Sequence, residues 1–272
     1  MNEAFRLICP VCKKALSDDG SRLFCINRHS FDIARQGYIN LLPVQNKHSL
    51  NPGDNKEMLL ARRRFLESGK YEPICKSVIS AIKHYAPSAQ PVIADIGCGE
   101  GYYTSMIKHQ CRAHCIGIDV SKDGAKMACS RDKSILWLVA TASALPIEDN
   151  SLDAVTAMFS LFLPQEYSRV LKKDGCAVEI TVGNRHLTEL KQIIYEEVFE
   201  QDKRPVPCSD FFYEAEFNEN TYQLELDNSE LRDLLMMTPH FWRIRKEKRE
   251  ALEQTDHLRL TVQYRIRILI KK

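Results

Sequence analysis

Pro91-Val92-Ile93-Ala94-Asp95-Ile96-Gly97-Cys98-Gly99-Glu100-Gly101 is a short apolar run that stops in three closely spaced glycines. The run predicts a buried strand, and Tyr102 to Lys108 after it predicts a helix. Glycines at such a junction let the main chain approach a ligand and adopt torsions that other residues resist. Working outward, strands are predicted over 114–119, 135–139, 153–159 and 176–182, with helices over 121–130 and 164–171 among them. Five strands with helices or crossovers between them imply a parallel, doubly wound sheet covered on both faces. Upstream, helices are predicted over 55–70, closed by Gly69, and from Pro73 to about Tyr85. Downstream come a helix over 186–199, a strand over 222–226 and a helix over 229–236. The last strand, 258–270, alternates Leu260, Val262, Tyr264, Ile266 and Ile268 with polar neighbours, which suits an antiparallel edge strand.

Asp119 lies 22 residues after Gly97, at the end of the next strand, where a carboxylate can accept both hydroxyls of a ribose. Two cofactor classes fit a turn of this kind. A nicotinamide dinucleotide asks for G-x-G-x-x-G, and the third glycine would have to stand at Tyr102. The observed G-x-G-x-G after an acidic residue instead resembles the S-adenosylmethionine site of class I methyltransferases. That resemblance makes Asp95, Gly97, Cys98, Gly99, Gly101 and Asp119 candidate cofactor contacts. Ala142-Ser143-Ala144-Leu145-Pro146 follows the third strand, where such enzymes pass their backbone beside adenine, so Ser143 joins them. Asp153-Ala154-Val155 matches the same family's acidic-Ala-Val strand start, although Asp153 can equally be a surface residue that begins a strand.

Cys9-x2-Cys12-x12-Cys25-x3-His29 has the spacing of two metal knuckles. Three thiolates and an imidazole close a tetrahedron around zinc and leave no open position, so the site would be structural. The segment is too short and polar for an apolar core of its own, and zinc would supply the missing folding energy. The other seven cysteines are scattered, and the N-terminus has no apolar signal region, so a reducing cytoplasmic setting is expected. No run approaches the roughly 18 apolar residues of a membrane span. The net charge of +2 hides an asymmetry. Residues 1–84 carry 14 Lys/Arg against 8 Asp/Glu and residues 241–272 carry 10 against 4, whereas residues 195–230 carry 2 against 11. Two basic ends around an acidic middle can form a polyanion site, or simply a mixed surface.

The order of further motifs is more specific than any one of them. After the knuckles come His29-Ser30-Phe31-Asp32-Ile33-Ala34-Arg35-Gln36-Gly37-Tyr38-Ile39-Asn40-Leu41-Leu42, then Pro52-Gly53-Asp54, Ala61-Arg62-Arg63-Arg64-Phe65-Leu66 and Gly69-Lys70-Tyr71. Arg185-His186-Leu187, Glu189-Leu190-Lys191 and Met237-Thr238-Pro239 complete the series. Over essentially its whole length the chain resembles the bacterial 23S ribosomal RNA (guanine-N1)-methyltransferases. The resemblance implies a zinc-binding module over 1–40, a basic linker with helices over 41–84, and a Rossmann-like methyltransferase domain over 85–272. That domain would hold a mostly parallel seven-stranded sheet with an antiparallel edge strand, and a substrate-side region over 184–240. Zinc ligands carry over to Cys9, Cys12, Cys25 and His29. Cofactor contacts carry over to Tyr71, Cys98, Gly99 and His186. A homodimer whose cleft takes an RNA hairpin is also implied.

On that reading Arg62, Arg63 and Arg64 grip phosphates, and Trp242, with Phe241 and Phe159, is available to stack on bases, core packing being the plainer use of such aromatics. The sequence departs from the family at Phe159-Ser160-Leu161, where relatives tend to have aromatic-Ala-Pro, and at Lys173-Asp174-Gly175, where they tend to have Pro-Gly-Gly. Two rival readings share these motifs: a small-molecule methyltransferase with an added zinc module, and a non-catalytic RNA-binding protein built on the same fold.

Overall fold

Val92–Ile96 forms the central strand β5 of a large sheet, seen here in a computed structural model that describes residues 4–43, 53–197 and 205–272. The chain begins with three short antiparallel strands, β1 (Leu16–Asp18), β2 (Arg22–Cys25) and β3 (Ser30–Asp32), followed by β4 (Ile39–Asn40). Helices α1 (Lys56–Glu67) and α2 (Glu72–Tyr85) lead into β5. Asn55 starts α1 by accepting the Met58 N–H, which satisfies one of the four unpaired donors of the first turn. Then come α3 (Tyr102–Cys111), β6 (His114–Asp119), α4 (Lys122–Arg131), β7 (Leu136–Val139), β8 (Leu152–Met158), α5 (Pro164–Val170) and β9 (Leu171–Val182). Next are α6 (Thr188–Ile194), β10 (Phe212–Asp227), α7 (Asn228–Met236), α8 (Lys246–Glu253) and β11 (His257–Lys271). The helix expected over 186–199 is shorter, and its last two expected residues lie outside the described residues. So does most of the loop expected around Asn51 and Pro52.

The large sheet runs β10-β11-β9-β8-β5-β6-β7-β4, with β11 antiparallel to both of its neighbours and the centre parallel. This is the doubly wound class I methyltransferase architecture expected from the sequence, with two differences. First, β4 adds an eighth strand: Ile39 and Asn40 pair in parallel with Leu138 and Val139. Second, the edge belongs to β10, and β11 lies inside it. The expected strand at 222–226 is only the end of a strand that begins at Phe212. Its first half is hard to read as strand because Glu214, Glu216 and Glu219 interrupt any apolar alternation. Two of these acids pair across the sheet, Glu219 with Arg265 at 2.8 Å and Glu214 with Arg267 at 2.6 Å. The acidic middle and the basic C-terminal end of the chain therefore neutralise each other in part, which reduces the charge left for a polyanion.

The alternation of side chains along the strands sorts two cores onto the two faces. Ile93, Cys115, Ala154, Val178 and Ile266 face a cluster completed by α2, α3 and α7. Ala94, Ile116, Val155 and Ala177 face a second cluster that includes Tyr167 and Val170 of α5 and, from the N-terminal module, Leu7, Leu16, Leu23, Ile39 and Leu41. Between β7 and β8 the chain crosses without a helix, and the N-terminal module fills that side. Ile8 N–H donates to Pro146 O at 3.0 Å, and Glu148 N–H donates to Arg6 O at 2.9 Å. The module thus borrows its apolar core from the sheet.

Its own contribution is the metal cluster. The sulfurs of Cys9, Cys12 and Cys25 and the Nδ1 of His29 all lie within 4.8 Å of one another. Cys12 and Cys25 Sγ are 3.6 Å apart, and His29 Nδ1 lies 3.6 Å from Cys9 Sγ and 3.4 Å from Cys25 Sγ. Tetrahedral zinc with bonds of about 2.0–2.3 Å sets its ligands roughly 3.5–3.8 Å apart, so the donor set and its spacing fit that ion. We expect about one zinc per chain, lost in Cys25→Ser. The loss should lower the unfolding transition of the whole chain by a few kcal/mol, the scale of uncovering two or three apolar side chains such as Leu7 and Leu23. Metal analysis and denaturation followed at Trp137 check this; a Trp137 transition unmoved by zinc loss would show the two parts to be uncoupled.

Candidate active site

The carboxyl ends of β5, β6, β7 and β8 converge on one crevice, the place where open α/β sheets bind ligands. After β5 the chain turns through Gly97, Gly99 and Gly101 with φ of 79°, 55° and 85°. Close packing as well as torsion calls for glycine here. A Cβ on Gly97 would lie 2.6 Å from Ser160 Cβ, and one on Gly101 would lie 2.6 Å from Trp137. The N–H groups of Gly97 and Cys98 donate to Ile118 O, which fixes the turn to β6. Tyr102, where a dinucleotide fingerprint would have its third glycine, is a buried ring packed edge-on against Tyr103.

Asp119 sits at the end of β6, as expected. Its Oδ2 accepts the Gly99 N–H at 2.9 Å and its Oδ1 accepts the Ser121 N–H at 2.8 Å. Burial raises its pKa, and the two N–H groups oppose that rise. Each oxygen keeps a second lone pair, so a diol can still be accepted. Asp95 is different. It is 2% exposed, and both oxygens are occupied by hydroxyls, Thr104 Oγ1 at 2.5 Å and Thr156 Oγ1 at 2.8 Å. Burial pushes its pKa up to about 6. The structure makes this residue a brace under the turn. Asp153 is likewise a buried tie, holding Val92 N–H at 2.8 Å and Lys172 Nζ at 2.9 Å; of its two readings the surface one fails. Ser143 is exposed in the turn after β7, its hydroxyl 2.9 Å from that of Thr141.

Tyr71 and His186 come together although 115 residues separate them, with Tyr71 Oη 3.4 Å from His186 Nε2. Phe159 completes the group, its ring centroid 6.4 Å from that of Tyr71 and 6.5 Å from that of His186. Phe159 has a φ of 54°, a region that costs a bulky side chain of order 1–3 kcal/mol and that here turns the chain at the end of β8. Ser160 then donates to Ile96 O at 2.6 Å, and Leu161 is left 72% exposed at the mouth. The departure at Phe159-Ser160-Leu161 therefore keeps a defined loop, pinned by a hydroxyl to the glycine strand. His186 Nδ1 is buried without a partner, so the cluster has an unfilled acceptor or donor position. A glycine cradle, a carboxylate able to take a diol and an orphaned imidazole nitrogen together fit a nucleoside sulfonium such as S-adenosylmethionine.

The three arginines do not share one direction. Arg64 makes a two-bond pair with Asp233 of α7, at 2.8 and 2.5 Å. Arg63 pairs with Glu67 at 3.1 Å. Arg62 points to the crevice, pairing with Asp54 at 2.6 Å. All three are therefore engaged within the chain. Trp242 lies in a 3-10 turn, Pro239–Trp242, edge-on to Phe241 and 65% exposed, so it is not a core residue.

Residues 7–50 match the N-terminal zinc-ribbon model of RlmA, and residues 94–178 match a methyltransferase domain model. YxjB of Bacillus subtilis, whose name refers to 23S rRNA (guanine-N1)-methylation, is 29% identical over 275 residues, 97% of this chain and 96% of its own length. The 23S rRNA (guanine(748)-N(1))-methyltransferase of Streptomyces fradiae is 30% identical over 187 residues, 68% of this chain and 66% of the relative. The chain belongs to the 23S rRNA (guanine-N1)-methyltransferase family. It is an S-adenosylmethionine-dependent methyltransferase with a zinc ribbon, and no helix among the described residues is long and apolar enough to cross a membrane.

In this family member His186 is neutral over the ordinary range, because burial, with Lys191 adding to it, pulls its pKa from 6.5 down to about 4. Between those values acid protonates this histidine only in the unfolded chain, so its contribution to stability falls as pH drops from 6.5 toward 4. We expect His186→Asn to lose roughly 2 kcal/mol less stability than the wild type between pH 7 and 4.5. Urea unfolding at the two pH values measures this; parallel losses in both proteins would mean the ring is not shielded.

Proposed function

We propose that this protein transfers a methyl group from S-adenosylmethionine to N1 of a guanine in a hairpin loop of 23S ribosomal RNA, working as a homodimer. The observation that carries the reading is the joining of an RlmA-type zinc ribbon to the methyltransferase domain, with relatives named for that reaction matching 97% and 68% of the chain. The exposed tip Phe159–Leu161 beside the Tyr71–His186 pair supports it, since an apolar lip at the mouth suits a splayed-out base.

When bound, the cofactor supplies a methyl group already activated on a sulfonium, so most of the catalysis asked of the chain is positioning. Asp119 would hold the ribose hydroxyls. The glycine turn gives the close backbone approach, and Tyr71 with His186 would flank the amino-acid end. Phe159 and Leu161 would shield the reacting centre from water. N1 of neutral guanine carries a proton, which must leave as the N1–methyl bond forms. Asp95 and Asp119 are each already engaged within the chain, by two threonine hydroxyls and by two N–H groups, and Asp119 would also hold the ribose. The acceptor is therefore to be sought outside these two carboxylates. Exposed Trp242 offers a stacking surface away from the crevice, and the ribbon a basic wall for phosphates.

Methylation at N1 blocks the Watson–Crick edge. Primer extension on ribosomal RNA from a strain lacking the gene should lose one stop at a guanine, and purified protein with the cofactor should restore it. No lost stop, together with undiminished turnover on a small molecule, would move the small-molecule reading ahead. A sedimenting mass of one 31.3 kDa chain, with RNA bound, would remove the dimer.

A further inference from the structure

We infer that Arg62 is the residue that holds the carboxylate of the cofactor's amino-acid end, and that Asp54 is its stand-in partner in the free protein. The inference concerns the methyltransferase cofactor alone and does not rest on the RNA reading.

Successive residues on a helix point about 100° apart, so a run of three arginines cannot present three guanidinium groups to one surface. The packing of α1 decides which one faces inward. Arg64 is bound to Asp233, and Arg63 leans on Glu67, on the Ser130 hydroxyl at 3.4 Å and toward the Glu100 carboxylate at 4.0 Å. Arg62 lies over the backbone of the glycine turn: a Cβ on Gly99 would be 3.3 Å from its Nη1. Its side chain is only 28% exposed, and its Nη2 also reaches Met237 O at 3.4 Å, after α7. A cation in that position stands over the very segment of backbone that a cofactor must approach.

Asp54 is placed to share that ground. Its main-chain oxygen accepts from Ser121 Oγ at 3.1 Å, and a Cβ on Gly53 would lie 2.9 Å from Ser121 Cβ, so the turn before α1 is packed against the start of α4. Asp54 and Arg62 both act on the titration of Asp119, the first raising it and the second lowering it, which marks the three as one electrostatic neighbourhood. The cofactor brings three recognisable groups: a diol, a sulfonium and an amino acid. Asp119 suits the diol. A carboxylate needs a cation, and a fixed guanidinium, planar and always charged, binds one with two parallel bonds. Arg63 and Arg131 also reach the glycine turn, but both are directed at the Glu100 carboxylate; Arg62 is the guanidinium over Gly99, and Asp54 keeps it neutralised and in place until a carboxylate arrives.

Two ligands separate this role from a structural one. S-adenosylhomocysteine carries the amino acid, and 5′-methylthioadenosine has the same adenine, ribose and thioether without it. Calorimetric titration of Arg62→Gln should show S-adenosylhomocysteine bound about ten- to a hundredfold more weakly, as for loss of a charge-assisted pair. Binding of 5′-methylthioadenosine should be unchanged, which also certifies the fold of the variant. Arg62→Lys should recover part of the loss, and Arg64→Gln should change neither ligand. Equal weakening of both ligands in Arg62→Gln, or no weakening of either, overturns the assignment. So does a loss in Arg64→Gln as large as that in Arg62→Gln.

Discussion

A buried carboxylate with two hydroxyls sets the geometry on which the site depends. Asp95 belongs to β5, Thr104 to α3 and Thr156 to β8, and the two hydrogen bonds join these three elements where the strands end. Removing either hydroxyl would leave a buried acceptor short of a partner, at a cost of about 1–3 kcal/mol. With that tie in place the glycine turn has little freedom. Ser160 blocks it at Gly97, Trp137 blocks it at Gly101, and Asp119 holds the Gly99 N–H between them. The crevice is therefore shaped before any ligand enters, and binding energy need not be spent on ordering it.

The zinc ribbon acts on the same framework from the other face. Class I sheets need cover on both sides, and here one crossover lacks a helix. Leu7, Leu23 and Leu41 stand in for it. The metal is thus remote from the chemistry yet part of what keeps Ile96 and Ile118, the residues at the ends of β5 and β6, packed from below. The ribbon and the methyltransferase sheet share one apolar core.

Local spacing made much of this readable from the sequence. The zinc ligands lie within 21 residues of one another, and the strand-glycine-helix junction is contiguous. Tyr71 and His186 are legible only through family resemblance, since nothing in their neighbourhoods marks them as a pair. What escaped the sequence depends on partners far along the chain. Asp95 looks like a ligand because its brace comes from residues 9 and 61 positions away. The first half of β10 looks like loop because its acids find Arg265 and Arg267 only once β11 is beside it. Arg62, Arg63 and Arg64 look equivalent until the packing of α1 against α7 turns one of them inward.

The two-residue strand β4 carries a consequence out of proportion to its length. It lies along β7, whose sequence Leu136-Trp137-Leu138-Val139 is that of a buried parallel strand with no charge to discourage another chain from pairing with it. At the opposite side of the sheet, β10 is guarded by its own glutamates. At this side the only guard among the described strands is β4, and β4 is held down by the metal cluster next to it. Zinc would therefore do more than stabilise the ribbon: by anchoring the segment that carries β4, it would keep that apolar edge covered.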